Sequence, residues 1–506
     1  MNSFTEKDIS DLERSNISET EAVDQIEKLS GNNRYSEILY PATLSNGIKK
    51  INEEEKNDLL KLYENAKASG RMSKFIPASG AATRMFNSLI KALNGDLDSS
   101  AKTTMENIKD MPFFNDLNNV FLFRNLDIEN MIAEKDWNQI IECILYEKGL
   151  NYANKPKALL KFTKYDDNIS RTALEEHIIE AKSLVMSEER RIKVHFTFPE
   201  MFIKQAEDII ENLRDQFPSS LLSIDFSVQD RTTDTISLHT DGTLVRKDNG
   251  EILTRPGGHG ALIKNLNDHK GDLVLIKNID NIVNSEHREI SDEYNKLLFG
   301  YLLKLESTIR FFTDNMETFT YDIIDQVNAF SKEYLFTDIE DMIKDTRLPA
   351  LKKFIYDFLN RPIRVCGMIE NTGEPGGGPF FVRNRNGVSL QIVESSQVDL
   401  QDPEKKKIFD SSTHFNPVNI ACSLKDHRGR NYELDDFIDK DSYFIAEKTW
   451  NGKSIRVLER PGLWNGAMSK WLTVFVELPR EVFCPAKTVN DLLKKERFPK
   501  DLLDII

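Results

Sequence analysis

The chain has 506 residues, 40% of them hydrophobic and 29% charged, a composition typical of a globular protein with a large core. Its formal net charge of -15 argues against nonspecific nucleic-acid binding, which depends on clustered basic side chains. No apolar run approaches the roughly 18 residues of a membrane span, and the N-terminus lacks the pattern of a signal peptide. The 4 cysteines form no CxxC pair, which disfavours structural zinc and a disulfide framework. We therefore expect a cytoplasmic enzyme or binding protein for small molecules, without nucleic-acid or membrane partners.

Helical patterns occupy three parts of the chain. Residues 1–65 are polar and charged, with helical spacing in "EEEKNDLLKLYENAK", and we predict an N-terminal helical region there. Residues 96–150 and 286–360 are also helical in pattern, and we interpret them as insertions into a catalytic core of residues 66–500. Residues 501–506 are predicted as a C-terminal tail.

The core alternates between strand and helix patterns. "MSKFIP", "RIKVHFTF", "LLSIDFSVQ" and "DLVLIKNID" are typical of strands, and helical patterns such as "PEMFIKQAEDIIENLRDQF" separate them. From Arg364 onward strands and turns return, among them "RVCGMIEN", "VSLQIVESSQ" and "KWLTVFVELP". This order predicts an α/β fold with a mostly parallel central sheet flanked by helices, in which ligands bind beyond the carboxyl ends of the strands.

The stretch "KFIPASGAATRMF" indicates a strand, a turn of small residues and a helix. Backbone amides in such a turn can approach an anion at the start of the helix, and Arg84 adds a fixed positive charge. The alternative is a tight turn whose small residues serve only close packing. The stretch lacks the lysine of a P-loop.

The stretch "TRPGGHGALIKNL" places three glycines and a proline around His259, directly before a helix. Such a loop presents backbone and one imidazole, which suits a nucleobase edge or a sugar phosphate lying on the backbone. An ordinary glycine-rich loop with a surface histidine is the alternative.

Three further stretches carry polar groups at strand ends. "LVLIKNIDN" is a buried strand that ends near Asp280, and one aspartate with waters and substrate phosphates is a common way to hold Mg²⁺. An aspartate that caps the next helix is the alternative. "SLQIVESSQVD" carries Glu394, which either binds hydroxyls or faces solvent, and "MIENTGEPGGGPFFV" adds Asn371 beside a flexible loop. Lys487 in "VFCPAKTVNDLL" is by itself most typical of a surface charge.

Together and in this order, these stretches resemble the UDP-sugar pyrophosphorylases of the nucleotide-diphospho-sugar transferase superfamily. The nearest resemblance is to a bacterial family of unassigned function that carries this pattern over nearly the whole chain. In the pyrophosphorylases a glycine-rich loop ending in Thr-Arg holds the nucleotide phosphates, and "ASGAATRM" is similar, with alanines in place of some glycines. A Pro-Lys pair follows that loop in the family. Here the corresponding pair is Pro156-Lys157, displaced by the helical insertion.

The resemblance implies a core of the nucleotide-diphospho-sugar transferase type and a role for each matching residue. Asp280 in "KNIDN" would hold the metal, Mg²⁺, and Arg84, Lys157 and Lys487 would be the catalytic cations. The residues implied in nucleotide binding are Ser79, Gly80, Ala81, Ala82, Thr83, Gln229, Gly257 and Gly258, and those implied in sugar binding are His259, Glu394, Asn371 and Asn416.

The function that follows is transfer of a nucleotidyl group: a sugar 1-phosphate and a nucleoside triphosphate would be joined, with release of pyrophosphate. Two alternatives stay open. A glycosyltransferase on the same fold would hold a nucleotide sugar with Asp and Mg²⁺ but transfer the sugar to an acceptor. A non-catalytic protein that binds nucleotide sugars is the other.

Overall fold

A computed structural model of the chain describes residues 4–501, except 32, 167, 168, 214, 215, 218–220, 317, 319, 341–346, 385 and 386. Residues 502–506, most of the predicted tail, lie outside the described part. The α-helices are α1 Glu6–Arg14, α2 Glu19–Ser30, α3 Glu53–Ala68, α4 Asn87–Leu93, α5 Ser99–Glu106, α6 Phe114–Phe123, α7 Ile128–Glu134, α8 Trp137–Leu145, α9 Ala173–Val185, α10 Ile203–Leu213, α11 Leu262–His269, α12 Glu289–Asp314, α13 Tyr321–Tyr334, α14 Leu348–Leu359 and α15 Pro403–Asp410.

The strands are β1 Glu37–Pro41, β2 Ile48–Lys49, β3 Met72–Pro77, β4 Lys161–Lys164, β5 Ser170–Thr172, β6 Ile192–Thr197, β7 Leu222–Ser227, β8 Thr235–His239, β9 Thr254–Arg255, β10 Leu273–Lys277, β11 Ile363–Glu370, β12 Gly378–Asn384, β13 Gly387–Val393, β14 His414–Phe415, β15 Asn419–Ser423, β16 Phe444–Trp450, β17 Lys453–Glu459 and β18 Leu472–Glu477. The chain divides into two compact units. The first unit comprises Met1–Tyr63, Val228–Val274 and Leu297–Pro479, and the second Glu64–Ser227, Leu275–Lys296 and Arg480–Ile506.

In the second unit the strands follow the order β10, β3, β6, β7, and β3–β6 and β6–β7 are parallel pairs. Burial explains the nearly continuous apolar pattern of β3, because all of its residues except Pro77 are buried, as in a strand covered on both faces. Helix α9 packs against β3 and β6. Its N-cap residue is Thr172, whose hydroxyl accepts from the amide of Glu175 while the Glu175 carboxylate accepts from the Thr172 amide, a capping box.

In the first unit β2, β18, β11 and β15 are neighbours, parallel except for the β11–β15 pair. Two antiparallel sheets accompany them, β1-β12-β13 and β16-β17-β8-β9. Helices α1 and α2 are anchored on the second of these sheets, because Leu12 and Leu29 share a buried apolar cluster with Ile236 and Leu458. The predicted α/β class with a mostly parallel sheet flanked by helices is confirmed. Among the described residues, no helix combines the length and the apolar character that crossing a membrane requires.

Candidate active site

The loop after β3 offers three unused backbone amides. The Ala78 amide donates to Thr197 O (3.1 Å) and the Ala82 amide to Lys155 O (3.0 Å), which fixes the loop at both ends. Between them, the amides of Ser79, Gly80 and Ala81 donate to no group of the described residues. The predicted anion-binding amides are therefore present at three positions, whereas the Ala82 amide is committed within the chain.

The loop leads into a tighter helix than the sequence predicts. The pattern "AATRMFNSLIKAL" predicts a continuous helix, but Thr83–Phe86 form a 3-10 turn and α4 begins only at Asn87. The Thr83 hydroxyl donates to Ala153 O (2.7 Å) and therefore holds the turn in place. Arg84 is exposed and forms no ion pair with any residue in the described ranges, so its guanidinium is available to an anion.

Lys157 lies beside this loop although it follows Arg84 by 73 positions in the sequence. Ala81 and Pro156 form an antiparallel bridge, and the Lys157 amide donates to Gly80 O (3.2 Å). The helical segment of residues 96–150 therefore leaves the core and returns beside the loop. The backbone of Lys157, the residue that the resemblance assigns as the lysine missing from the loop, is therefore paired with the loop.

Lys157 and Lys487 meet at one oxygen of Asp280. The ammonium nitrogens lie 2.8 Å and 3.0 Å from Asp280 Oδ2, and Lys157 Nζ also donates to Ala486 O (2.8 Å). Burial by itself raises the pKa of Asp280, but the charges and hydrogen bonds of Lys157 and Lys487 outweigh it and hold the pKa below its usual value. Asp280 is thus ionised at neutral pH between two cations.

The segment that carries Lys487 is paired with the residues that follow β10. Asn281 and Pro485 form an antiparallel bridge, and the Ala486 amide donates to Asp280 O (3.0 Å). The Asp491 carboxylate then accepts from the Lys487 amide (2.9 Å) and orders the turn after the lysine. Three sequence-distant segments therefore bring Lys157, Asp280 and Lys487 together within the second unit.

A divalent cation is compatible with this group through Asp280 alone. Both lysines donate to Asp280 Oδ2, and Oδ1 takes part in no hydrogen bond among the described residues. No cluster of three or more His, Cys, Asp or Glu that could hold a metal ion occurs in the described part of the chain. A single carboxylate fits Mg²⁺ when substrate phosphates and water supply the remaining ligands.

In the first unit, the glycines of "TRPGGHG" are required by the chain itself. A Cβ at Gly257 would lie 2.6 Å from Thr233 O, and one at Gly260 would collide with Pro461 O. Gly258 has φ +79°, and a Cβ there would collide with the Glu459 carboxylate. Close approach of residues 459–461 therefore explains these glycines without a ligand. The predicted roles of Gly257 and Gly258 in nucleotide binding stay predictions.

His259 and Glu394 are linked through Trp464. The imidazole of His259 stacks on the Trp464 indole, with ring centroids 4.6 Å apart, and its Nε2 lies 3.4 Å from Asn465 Oδ1. The Trp464 indole N–H donates to Glu394 Oε1 (3.2 Å). Two residues that the sequence assigns to sugar binding thus belong to one polar and aromatic cluster of the first unit.

The remaining predicted residues of the first unit differ in whether their side-chain amides already form hydrogen bonds within the chain. Gln229 has a buried Nε2 without a hydrogen-bond partner among the described residues. Asn416 is buried, and its side chain donates to Gly367 O (2.8 Å) and accepts from the Val418 amide (3.1 Å), so it supports the backbone. Asn371 is exposed and its Oδ1 accepts from the amides of Gly373 and Glu374, which shapes the turn.

Comparison with known proteins places the chain in a family. Residues 5–497 match the family described as "Domain of unknown function (DUF4301)". The chain belongs to this family. The predicted membership of a family of unassigned function is therefore confirmed. No curated protein matches the chain.

Solved structures similar to this DUF4301 protein include UDP-sugar pyrophosphorylases. The uridine diphosphate N-acetylglucosamine pyrophosphorylase from Trypanosoma brucei is 12% identical, with 97% of this chain and 79% of that chain covered and a TM-score of 0.47. A mutant UDP-glucose pyrophosphorylase from Leishmania major, in complex with UDP-glucose, is 13% identical over 97% and 79% of the two chains, with a TM-score of 0.44. UDP-glucose phosphorylase from Trypanosoma brucei is 12% identical over 97% and 80%, with a TM-score of 0.47.

Sequence reasoning missed four buried polar residues of the second unit and two residues of the first. The signal for the former was present: Lys74 and Lys277 stand inside otherwise apolar strand patterns, "MSKFIP" and "LVLIKN", where a charge requires a buried partner. Trp464 and its neighbour Asn465 had no such signal, because a single tryptophan in a turn is usually a packing residue. The missed residues in this DUF4301 protein are Lys74, His177, Glu180, Lys277, Trp464 and Asn465.

Proposed function

We propose that this DUF4301 protein is a nucleotidyltransferase that joins a sugar 1-phosphate to a nucleoside triphosphate. The observation that carries the proposal is the convergence of Lys157 and Lys487 on Asp280, next to a loop with three unused amides. Two ammonium groups and free amides in one place suit a polyanion such as a triphosphate better than a neutral ligand.

In the proposed reaction a phosphate oxygen of the sugar 1-phosphate attacks the α-phosphorus of the triphosphate. The new P–O bond forms as the bond from the α-phosphorus to the bridging oxygen breaks, and pyrophosphate leaves with that oxygen. No proton transfer is needed, because both the attacking and the leaving groups are phosphate anions. The protein therefore has to position the two phosphates and offset their charge.

Each cation has a distinct part in this proposal. Lys157, which is largely buried and fixed by Ala486 O, would offset charge at the α-phosphate. Lys487 is 51% exposed, so it can turn from Asp280 toward an incoming phosphate. The amides of Ser79, Gly80 and Ala81, with Arg84, would hold the leaving pyrophosphate.

Mg²⁺ is part of the proposal, with Asp280 as its protein ligand through Oδ1. When bound, the ion would offset phosphate charge and polarise the α-phosphorus. Asp280 would at the same time keep the two lysine ammonium groups at fixed positions through Oδ2.

For the first unit we propose recognition of the base and the sugar. Gln229 has an unused donor for a base edge, and His259 and Glu394 share the Trp464 cluster, whose carboxylate suits sugar hydroxyls. Asn416 is left out of the sugar-binding set because the backbone occupies both ends of its amide. A cytoplasmic location, where nucleoside triphosphates are available, belongs to the proposal.

The test is a coupled assay of pyrophosphate release. The full chain is incubated with Mg²⁺, each of several nucleoside triphosphates and each of several sugar 1-phosphates. The proposal predicts release that depends on both substrates for at least one pair. Release without the sugar phosphate would indicate hydrolysis, and absence of release for every pair would contradict a nucleotidyltransferase.

A further inference from the structure

Two lysines stand in the interior of the second unit, one on each of two neighbouring strands. Lys74 on β3 is fully buried, and Lys277 at the end of β10 is 2% exposed. Between them lies one carboxylate of α9: Glu180 Oε2 is 2.6 Å from Lys74 Nζ, and Glu180 Oε1 is 2.6 Å from Lys277 Nζ. Glu180 therefore ties β3 to β10 with one hydrogen bond from each strand.

Both strands lead directly into the candidate active site. The loop with the unused amides begins two residues after β3 ends at Pro77, and Asp280 lies three residues after β10 ends at Lys277. A shift of either strand along the other would therefore move the loop relative to Asp280. The two hydrogen bonds of Glu180 oppose such a shift.

His177, one turn before Glu180 on α9, extends the connection to the residue before Asp280. Its Nδ1 lies 3.2 Å from Lys74 Nζ, which can only donate, so Nδ1 is the acceptor and Nε2 carries the hydrogen. Nε2 then donates to Ile279 O at 3.1 Å. Burial, together with the charge of Lys74, keeps the pKa of His177 well below its usual value, so the imidazole is neutral.

We propose that His177 and Glu180, with Lys74 and Lys277, are positioning residues that set the geometry of Asp280 and the anion loop. This role rests on the function proposed above and deepens it, since all four side chains are buried and can act only through the groups they hold. Buried ion pairs stabilise a fold no better than apolar residues of similar volume, because the cost of removing charges from water offsets their attraction. Here these groups instead fix positions, because Lys74 of β3 and Lys277 of β10 are each bound to one oxygen of Glu180, and Ile279 O is bound to His177.

The consequence for the reaction follows from how sensitive in-line transfer is to position. Asp280 accepts from both catalytic lysines, so displacement of Ile279 and Asp280 moves all three groups. A displacement of about 1 Å at the reacting groups is enough to lower a rate about 10²-fold. We therefore expect loss of the His177–Ile279 contact to lower kcat more than it raises KM.

Two substitutions at His177 separate its two contacts. The amide nitrogen of His177→Gln can occupy the place of Nε2 and donate to Ile279 O, whereas the amide oxygen of His177→Asn can occupy the place of Nδ1 and accept from Lys74. We expect His177→Asn to lower kcat about tenfold or more, with KM changed by less than about threefold, and His177→Gln to stay within about threefold of the wild type. If both variants lose the same factor in kcat, and that loss follows the decrease in their melting temperatures, His177 has a structural role only.

A measurement without substrate keeps this inference separate from the proposed function. Hydrogen exchange of residues 278–282 reports on the segment directly, since the Asn281 amide is bonded to Asn278 O. His177→Asn is expected to speed exchange there about tenfold relative to His177→Gln. If the wild-type protein releases no pyrophosphate, the proposed function is overturned, but the exchange result still tests the positioning role. Equal exchange rates in the two variants would overturn the positioning role.

An apolar replacement gives a second, independent test. In the triple variant Lys74→Met, Glu180→Leu, Lys277→Met the two lysines and the carboxylate that they share are removed together, so neither lysine loses its carboxylate partner while remaining charged. We expect this variant to fold with a melting temperature near that of the wild type and to lose about tenfold or more of its kcat. A folded triple variant with wild-type kcat would overturn the inference. If the variant does not fold, the His177 pair decides.

Discussion

Lys157 and Lys487 donate to the same oxygen of Asp280, yet their side chains are 14% and 51% exposed. Replacing each by Met therefore separates the contribution of these cations to stability from their contribution to turnover. Lys494 is a matched control, because its side chain is 43% exposed and forms a 2.8 Å ion pair with Asp491 in the same segment as Lys487.

The expected magnitudes follow from burial. Loss of one partner from a buried ion pair costs about 3–5 kcal/mol, and since Lys487 would still neutralise Asp280, we expect Lys157→Met to lower the free energy of unfolding by about 2–3 kcal/mol. Half-exposed pairs contribute about 0–1 kcal/mol, so Lys487→Met and the control Lys494→Met should each cost less than about 1 kcal/mol. Turnover should fall about 10²-fold or more in both Lys157→Met and Lys487→Met, because each removes a cation from the reacting phosphates.

Urea unfolding measures the stability change, and pyrophosphate release at saturating substrates measures turnover. The decisive variant is Lys487→Met, for which we expect near-normal stability and strongly reduced turnover, while Lys494→Met is normal in both. Turnover of Lys487→Met within about threefold of the wild type would refute the assignment of this lysine to the reaction. A loss of stability equal to that of Lys157→Met would refute the argument from exposure.

Asp280→Asn should retain less than about 1% of turnover and lose the Mg²⁺ dependence of nucleotide binding in calorimetry, whereas unchanged Mg²⁺ dependence would exclude Asp280 as a metal ligand. Burial lowers the pKa of His195 from 6.5 to about 4. Between pH 4 and pH 6.5 this imidazole therefore binds a proton in the unfolded chain but stays neutral in the folded chain. Stability should therefore fall by about 3 kcal/mol from this group as the pH drops from 6.5 to 4, and urea unfolding of His195→Gln should show a flatter pH profile; an identical profile would contradict this. Gly260→Ala should unfold several degrees earlier than Gly80→Ala, because neither glycine has a positive φ but a Cβ at Gly260 would lie 2.1 Å from the backbone oxygen of Pro461, whereas one at Gly80 would meet nothing within 4 Å; equal melting temperatures would show that the two loops can move apart at no cost.

The sequence predicted those features that depend on local pattern and on strand ends. The small-residue loop, the aspartate after β10 and the lysine after "FCPA" are each marked by neighbouring residues, and the structure brings Lys157, Asp280 and Lys487 together. Their roles in the reaction stay predictions.

Hydrogen bonds made between distant segments were beyond such reasoning. The Ala82 amide donates to Lys155 O, and the Asn416 side chain donates to Gly367 O and accepts from the Val418 amide. Of these three partners, only Val418 is close in sequence to the residue that it bonds. The 3-10 turn at Thr83–Phe86 depends in the same way on a bond from Thr83 to Ala153. A pattern identifies which group can bind a ligand, but only the folded chain determines whether that group is already occupied.

The folded chain also gives a different reason for the glycines after Thr254 than the sequence does. The sequence contains a second Arg-Pro-Gly at residues 460–462, and it lies against the first: the Arg460 amide donates to Gly257 O (2.8 Å), and a Cβ at Gly462 would collide with the imidazole of His259. The glycines of both segments are thus needed for two loops of one chain to pack at backbone distance. Close packing in turn holds His259 against Trp464. Under the proposed function their contribution to sugar binding would therefore be indirect, because they hold an imidazole against an indole whose N–H donates to Glu394.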